Sequence, residues 1–115
     1  MKPLRIFVAY PYSASTPEEV HRNVCRAMEI GMVLEARGHV PFIPHLTHTW
    51  HLHNLSRYGS SLQYEEWMRQ TLAWVPVCDA ILHTVSSPGA DRELALAEEL
   101  GLLVFTCIAE VPCVE

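Results

Sequence analysis

The chain has 115 residues, half of them hydrophobic and 18% charged, with a formal net charge of −5 at pH 7. This balance predicts one folded domain over residues 1–115, and the acidic charge argues against binding a nucleic acid polymer, which needs a basic patch. Met1 to Tyr12 lacks the apolar run of a signal peptide, and no stretch has the apolar length of a membrane span. We therefore expect a cytoplasmic protein with no membrane partner.

The first third of the chain predicts a strand, a loop and a helix. Leu4 to Ala9 is apolar with little alternation, as in a central strand covered on both faces. Tyr10 to Ser15 follows as a polar loop with two phenols at the carboxyl end of that strand. Thr16 and Pro17 then predict a capped helix that Gly38 ends.

The middle of the chain is less regular. Residues 39–44 predict a short strand, and their two prolines place it near a sheet edge. His45 to Ser60 has no clear periodicity and predicts a loop that acts as an aromatic, hydrogen-bonding lid. Its four histidines leave open a metal site or a solvated surface as alternatives. We assign no metal ligand to them.

Two further helices and two further strands complete the pattern. Ser61 is a candidate cap for a helix that Pro76 stops, and residues 79–85 predict a strand. A helix over residues 88–100 and a strand over 102–106 follow, and the tail from Cys107 is a candidate edge. Strands that alternate with helices predict an α/β fold, with a parallel sheet of four to five strands and helices on both faces.

The four cysteines are scattered and contain no C-x-x-C pair, which favours buried free thiols.

The segment from Ser86 to Glu93 joins the third strand to the third helix. Ser87 is a candidate cap and Pro88 suits the first helical position, while Gly89 permits close approach to the backbone. The amino end of a helix favours anions, so we expect Glu93 to be ionised, as a nucleophile requires. An ordinary capped helix with an exposed acidic residue remains the alternative from spacing alone.

These motifs together resemble the nucleoside 2-deoxyribosyltransferase-like superfamily, which includes 2′-deoxynucleoside 5′-monophosphate N-glycosidases and related small bacterial and phage proteins. The resemblance runs from about Leu4 to Phe105 and depends on these segments: Ile6 to Ala9, His45 to His48, Tyr64 to Met68, Cys78 to Ala80 and Ser87 to Glu93. It implies a flavodoxin-like or Rossmann-like three-layer fold. It also implies a homodimer or higher homo-oligomer and no cofactor.

The resemblance further implies base release from a nucleoside monophosphate, with Glu93 attacking the sugar C1′ and Ser87 on the 5′-phosphate. Phe7 and Thr71 stand where the family usually has a tyrosine and a base-handling aspartate, so a lid histidine is a candidate proton donor. The candidate catalytic residues are Glu93, Tyr10 and Tyr12. The candidate substrate-binding residues are Phe7, Ser13, His45, Asp79, Ser87, Pro88, Gly89 and Ala90. Base exchange between nucleosides and nucleotide binding without chemistry are the alternative functions.

Overall fold

The computed structural model describes residues 1–59 and 63–115. Four parallel strands form one sheet in the order β2-β1-β3-β4. They are β1 (Arg5–Ala9), β2 (Val40–Phe42), β3 (Ala80–His83) and β4 (Leu103–Phe105). The predictions that the first strand is central and the second lies at an edge are therefore confirmed. The chain leaves β1 toward β2 on one side and returns as β3 on the other, and a crevice forms where strand order reverses in this way.

The described residues form four α-helices and three short 3₁₀ turns. The helices are α1 (Pro17–Ala36), α2 (His48–Tyr58), α3 (Tyr64–Trp74) and α4 (Pro88–Glu99). The turns are Pro44–Thr47, Val75–Val77 and Ile108–Glu110. None of these helices has the length and apolar character needed to cross a lipid bilayer.

The core has two layers because successive side chains of a strand point to opposite faces of the sheet. Ile6 and Val8 of β1 belong to the cluster on the α1 face, with Ala27 and Leu34. The opposite cluster consists of Phe7, Ala9, Val75, Cys78, Ile81, Ala90 and Ala97. Helices therefore cover both faces of the sheet, as the alternating pattern predicts.

The two helices that follow β1 and β3 begin as the sequence predicts. The Thr16 hydroxyl accepts a hydrogen bond from the Glu19 amide at 3.2 Å, with Pro17 in the first helical turn. The Ser87 hydroxyl accepts one from the Ala90 amide, also at 3.2 Å. At the other end of α1, Gly38 has a φ of 91°, in the left-handed region that favours glycine.

The predicted loop over residues 45–60 is wrong, because α2 occupies most of it. Its stripe toward the interior is His48, His51, Leu52 and Leu55, which has helical spacing. Because two of these four side chains are imidazoles, the stripe does not show as a helical period of hydrophobic residues in the sequence. The predicted cap at Ser61 lies outside the described residues, and α3 begins after Gln63, whose backbone amide donates to the Glu66 carboxylate at 3.2 Å.

The tail from Cys107 folds back across the amino end of the sheet and adds no strand to it in the part of the chain described. Val111 is buried, and the Val114 amide donates to the Arg37 carbonyl at 2.8 Å. All four cysteines are free; Cys78 is buried, but Cys107 and Cys113 are exposed, so the expectation of buried thiols fails for those two.

Candidate functional site

A cleft of about 860 Å³ opens at the carboxyl ends of β1 and β3. Its walls come from the loop after β1, the first turns of α1, the inner stripe of α2, the start of α3 and the start of α4. Its size is that of a pocket for a small organic ligand. The cleft lies where the parallel topology predicts a binding crevice.

Glu93 lies in the second turn of α4 and is only 4% exposed. Burial raises the pKa of its carboxyl to about 8, while a hydrogen bond with Thr71 acts in the opposite direction. Glu93 is therefore protonated at neutral pH in the free protein. The expectation that Glu93 is ionised is therefore wrong, because burial removes the hydration that the charged carboxylate needs.

Thr71 of α3 is itself buried beside Glu93. Its hydroxyl also lies 3.5 Å from the Met68 carbonyl, one turn earlier in the helix. The position that the resemblance matches to an aspartate therefore contacts the candidate nucleophile through a neutral hydroxyl.

The start of α4 forms one end of the cleft. Because Ser87 accepts a hydrogen bond from Ala90 through its oxygen, its hydroxyl hydrogen is available to a ligand. Pro88 has no amide hydrogen, and the Gly89 amide at the second helical position has no acceptor within the helix. The group that approaches Gly89 closely is Met68, whose sulfur would lie 3.3 Å from an added Cβ.

Aromatic rings form the other end. The Tyr12 ring stacks on Trp67 of α3 with centroids 4.2 Å apart and an interplanar angle of 13°. The Tyr12 hydroxyl lies 2.7 Å from Nδ1 of His48. Burial raises the pKa of Tyr12 and lowers that of His48, so in the free protein the phenol donates to a neutral imidazole. Asn23 holds the loop by donating to the Tyr12 carbonyl at 3.1 Å.

Two buried imidazoles line the same end. Nε2 of His45 lies 2.9 Å from the Tyr10 carbonyl and 3.2 Å from the Pro11 carbonyl, so this nitrogen carries the hydrogen. Nδ1 of His45 and Nε2 of His51 are buried and have no hydrogen-bond partner among the described residues. Burial lowers the pKa of both side chains. They present neutral, unsatisfied nitrogens beside the stacked rings.

The structure brings most of the predicted site residues to this one cleft. Those that line it are Tyr10, Tyr12, Ser13, His45, Ser87, Pro88, Gly89, Ala90 and Glu93. They come from segments far apart in the sequence, and the carboxyl ends of two adjacent parallel strands collect them. Their roles toward a substrate remain predictions.

Phe7 and Asp79 lie outside the cleft and are removed from the candidate site. Phe7 is fully buried in the middle of β1, where its ring stacks on Phe42 with centroids 5.5 Å apart. Asp79 precedes β3 at the amino end of the sheet, opposite the cleft. Its carboxylate accepts from the Arg5 guanidinium at 3.0 Å and from the Arg5 backbone amide at 2.8 Å.

Sequence patterns alone missed one wall of the cleft. Trp67 and Met68 of α3 are absent from the predicted site residues, but both side chains line the cleft, with Trp67 stacked on Tyr12. The sequence did contain a signal for this wall. The two tyrosines of the loop after β1 indicate it, because an exposed ring at the end of a strand packs against an apolar neighbour.

The histidines do not form a metal centre within residues 1–59 and 63–115, where no three His, Cys, Asp or Glu side chains are grouped to hold an ion. His51 instead packs on Trp67 with ring centroids 4.4 Å apart.

A scan against protein-family models finds no match, and a search of curated protein sequences finds no significant match.

Proposed function

We propose that the protein is an N-glycosidase that hydrolyses the bond between base and sugar in a nucleoside 5′-monophosphate. The observation that carries the proposal is the position of Glu93, a buried carboxyl in the cleft one turn beyond the amino end of α4. A phosphate at that helix end places the attached sugar near Glu93. The resemblance of the segment from Ser87 to Glu93 to the nucleoside 2-deoxyribosyltransferase-like superfamily supports the same assignment.

The start of α4 suits the 5′-phosphate. The Ser87 hydroxyl and the Gly89 amide are two donors at a helix end whose dipole favours an anion. The first turn of α1, with Thr16 and Pro17, also opens into the cleft and adds a second positive helix end. No lysine or arginine is among the described residues that line the cleft, so backbone dipoles and hydroxyls supply the positive potential.

Glu93 supplies the covalent chemistry. In its ionised form the carboxylate attacks C1′, the bond from C1′ to the base nitrogen breaks, and its electron pair leaves with the base. Water then attacks C1′ of the glycosyl ester and releases the sugar phosphate. Because Glu93 is protonated in the free protein at neutral pH, it loses its proton before the attack.

A nucleotide-binding protein without catalysis is the second candidate, and the protonated state of Glu93 favours it. A neutral carboxyl binds a ligand through hydrogen bonds but is a poor nucleophile. The two functions differ in whether a bound nucleotide loses its base.

A base-release assay tests the proposal. Ribo- and deoxyribonucleoside 5′-monophosphates of each base are incubated with the protein, and free base and sugar phosphate are separated chromatographically. We expect equal amounts of both products. Calorimetric binding of a nucleotide with no base release over long incubation supports the non-catalytic candidate instead. Incorporation of an added free base into a new nucleotide identifies base exchange.

Replacing Ser87 with aspartate should change the preference between nucleotide and nucleoside. Aspartate is also a good N-cap residue, so α4 keeps its cap. We expect kcat/KM for the 5′-monophosphate to fall roughly a hundredfold, since two like charges a few ångströms apart near a protein surface repel by several kcal/mol. The rate with the unphosphorylated nucleoside should change by less than about threefold, because that substrate carries no charge there.

The matched control is Ser87→Ala, which removes the hydroxyl without adding charge and should have a smaller effect on the nucleotide. Equal losses for nucleotide and nucleoside in Ser87→Asp would contradict a phosphate site at α4.

A further inference from the structure

We propose that Tyr12 and His48 deliver the proton that the departing base needs, with the Tyr12 hydroxyl in contact with the base and His48 behind it. The inference rests on the proposed function and extends it, because cleavage needs both a nucleophile at C1′ and a proton for the leaving group. The hydroxyl and Nδ1 are 2.7 Å apart, close enough for direct proton transfer.

Helix α3 contacts both Tyr12 and Glu93. Thr71 contacts Glu93, and Trp67 lies four residues earlier on the same helix, about 6 Å along its axis. Tyr12 stacks on Trp67. The phenol and the carboxyl therefore line the same cleft, and they contact α3 at residues one turn apart.

Three of the other ring side chains that line the cleft, Tyr10, His45 and Tyr64, make contacts elsewhere. The Tyr10 ring packs against the core cluster on the α1 face. The hydrogen on His45 Nε2 is directed at two backbone carbonyls, and the half-exposed Tyr64 ring packs against the Arg92 guanidinium. His51 remains as a competing donor, because its Nε2 is buried and has no partner among the residues described.

Two protons move together in this step. His48, as the imidazolium, gives its Nδ1 proton to the Tyr12 oxygen while the Tyr12 hydroxyl proton passes to the base. The electron pair of the bond to C1′ leaves with the base, and Glu93 provides the pair for the new ester bond. Neutral His48 then takes a proton from the water that hydrolyses the ester, and Glu93 is regenerated as a carboxylate.

The titratable groups around His48 determine how readily it becomes an imidazolium. Burial and the neighbouring His21 of α1 lower the pKa of His48, and His48 in turn lowers that of His51. The Tyr12 phenol and the Trp67 ring add no charge in the free protein. In the active form Glu93 is ionised and His48 is protonated, so the two groups together hold one proton, as they do in the free protein at neutral pH. We therefore expect the activity to fall at alkaline pH, where Glu93 and His48 together lose this proton.

The test compares leaving groups that differ in their need for a proton. Each base that the wild type releases is paired with an activated analogue: N7-methylated for purines, 5-fluorinated for pyrimidines. Tyr12→Phe keeps the ring on Trp67 and removes the hydroxyl, and His48→Asn removes the imidazole. We expect both variants to slow release of the ordinary base roughly a hundredfold. They should slow release of the activated base by less than about fivefold and lose the alkaline decrease. The exposed His53→Asn is the control and should match the wild type.

Equal losses on both members of a pair would show that Tyr12 and His48 only position the substrate, and wild-type rates in the variants would show that they are dispensable. A His51→Asn variant that alone shows the selective loss would transfer the role to His51. Each of these outcomes overturns the inference and leaves the N-glycosidase standing. If the wild type releases neither ordinary nor activated base, the proposed function fails and this inference fails with it.

Discussion

Glu93→Gln should reduce kcat/KM for base release by at least a factor of about a thousand, because the amide cannot form the ester with C1′. The substitution preserves the shape of the side chain in its buried site, and the amide can still hydrogen-bond with Thr71. Binding of the nucleotide, measured by calorimetry, should change much less than the rate. A large rate effect with little change in Kd is the behaviour of a group that acts in the transition state.

The matched control is Glu99→Gln in the same helix, where the side chain is exposed and does not line the cleft. Mass spectrometry of the wild type mixed rapidly with substrate should detect a protein adduct of one sugar phosphate, and the Glu93→Gln variant should not form it. If Glu93→Gln releases base at the wild-type rate, Glu93 is not the nucleophile.

The same substitution should stabilise the fold at alkaline pH. The pKa of Glu93 rises from 4.5 to about 8 on folding, so between these values the folded protein holds a proton that the unfolded chain has lost. Stability therefore falls by up to about 1.4 kcal/mol for each pH unit across this window and levels off above it. Glu93→Gln removes the slope, so the variant should gain on the order of 4 kcal/mol relative to the wild type between pH 4 and pH 9.

Urea denaturation of both proteins at pH 4, 7 and 9 measures this difference. The other titrating groups are common to the two proteins, so their contributions cancel when the free energies of unfolding are compared. Glu99→Gln should show no such gain. A free-energy difference between Glu93→Gln and wild type that does not change with pH would mean that Glu93 is ionised in the folded protein.

Local signals made much of the fold predictable. Two helix starts were predictable, because a cap residue acts on the backbone of the next few residues. Helix α1 begins at Thr16 and Pro17, and α4 begins at Ser87 and Pro88, as these cap signals indicate. The alternation of strands and helices predicts the parallel sheet, and the two prolines of the second strand predict its edge position. The α2 helix was not predictable by periodicity, because histidines occupy two of its four inward positions.

The site residues that come shortly after a strand could be predicted from the sequence. Ser13 and Ser87 lie in the cleft because the residues after parallel strands gather at one edge. Asp79 precedes its strand and so lies at the opposite edge, paired with Arg5. Phe7 is in the middle of its strand, where both faces are covered.

The sequence by itself determined the parallel α/β architecture, the two capped helices after β1 and β3, and the presence of a carboxyl close to the start of α4. These features depend on the chemistry of neighbouring residues. Only the tertiary structure decided that Glu93 is protonated at neutral pH and that Tyr12 meets Trp67 and His48. Both depend on burial and on contacts between distant segments, because the loss of hydration around a side chain is a property of the packed fold.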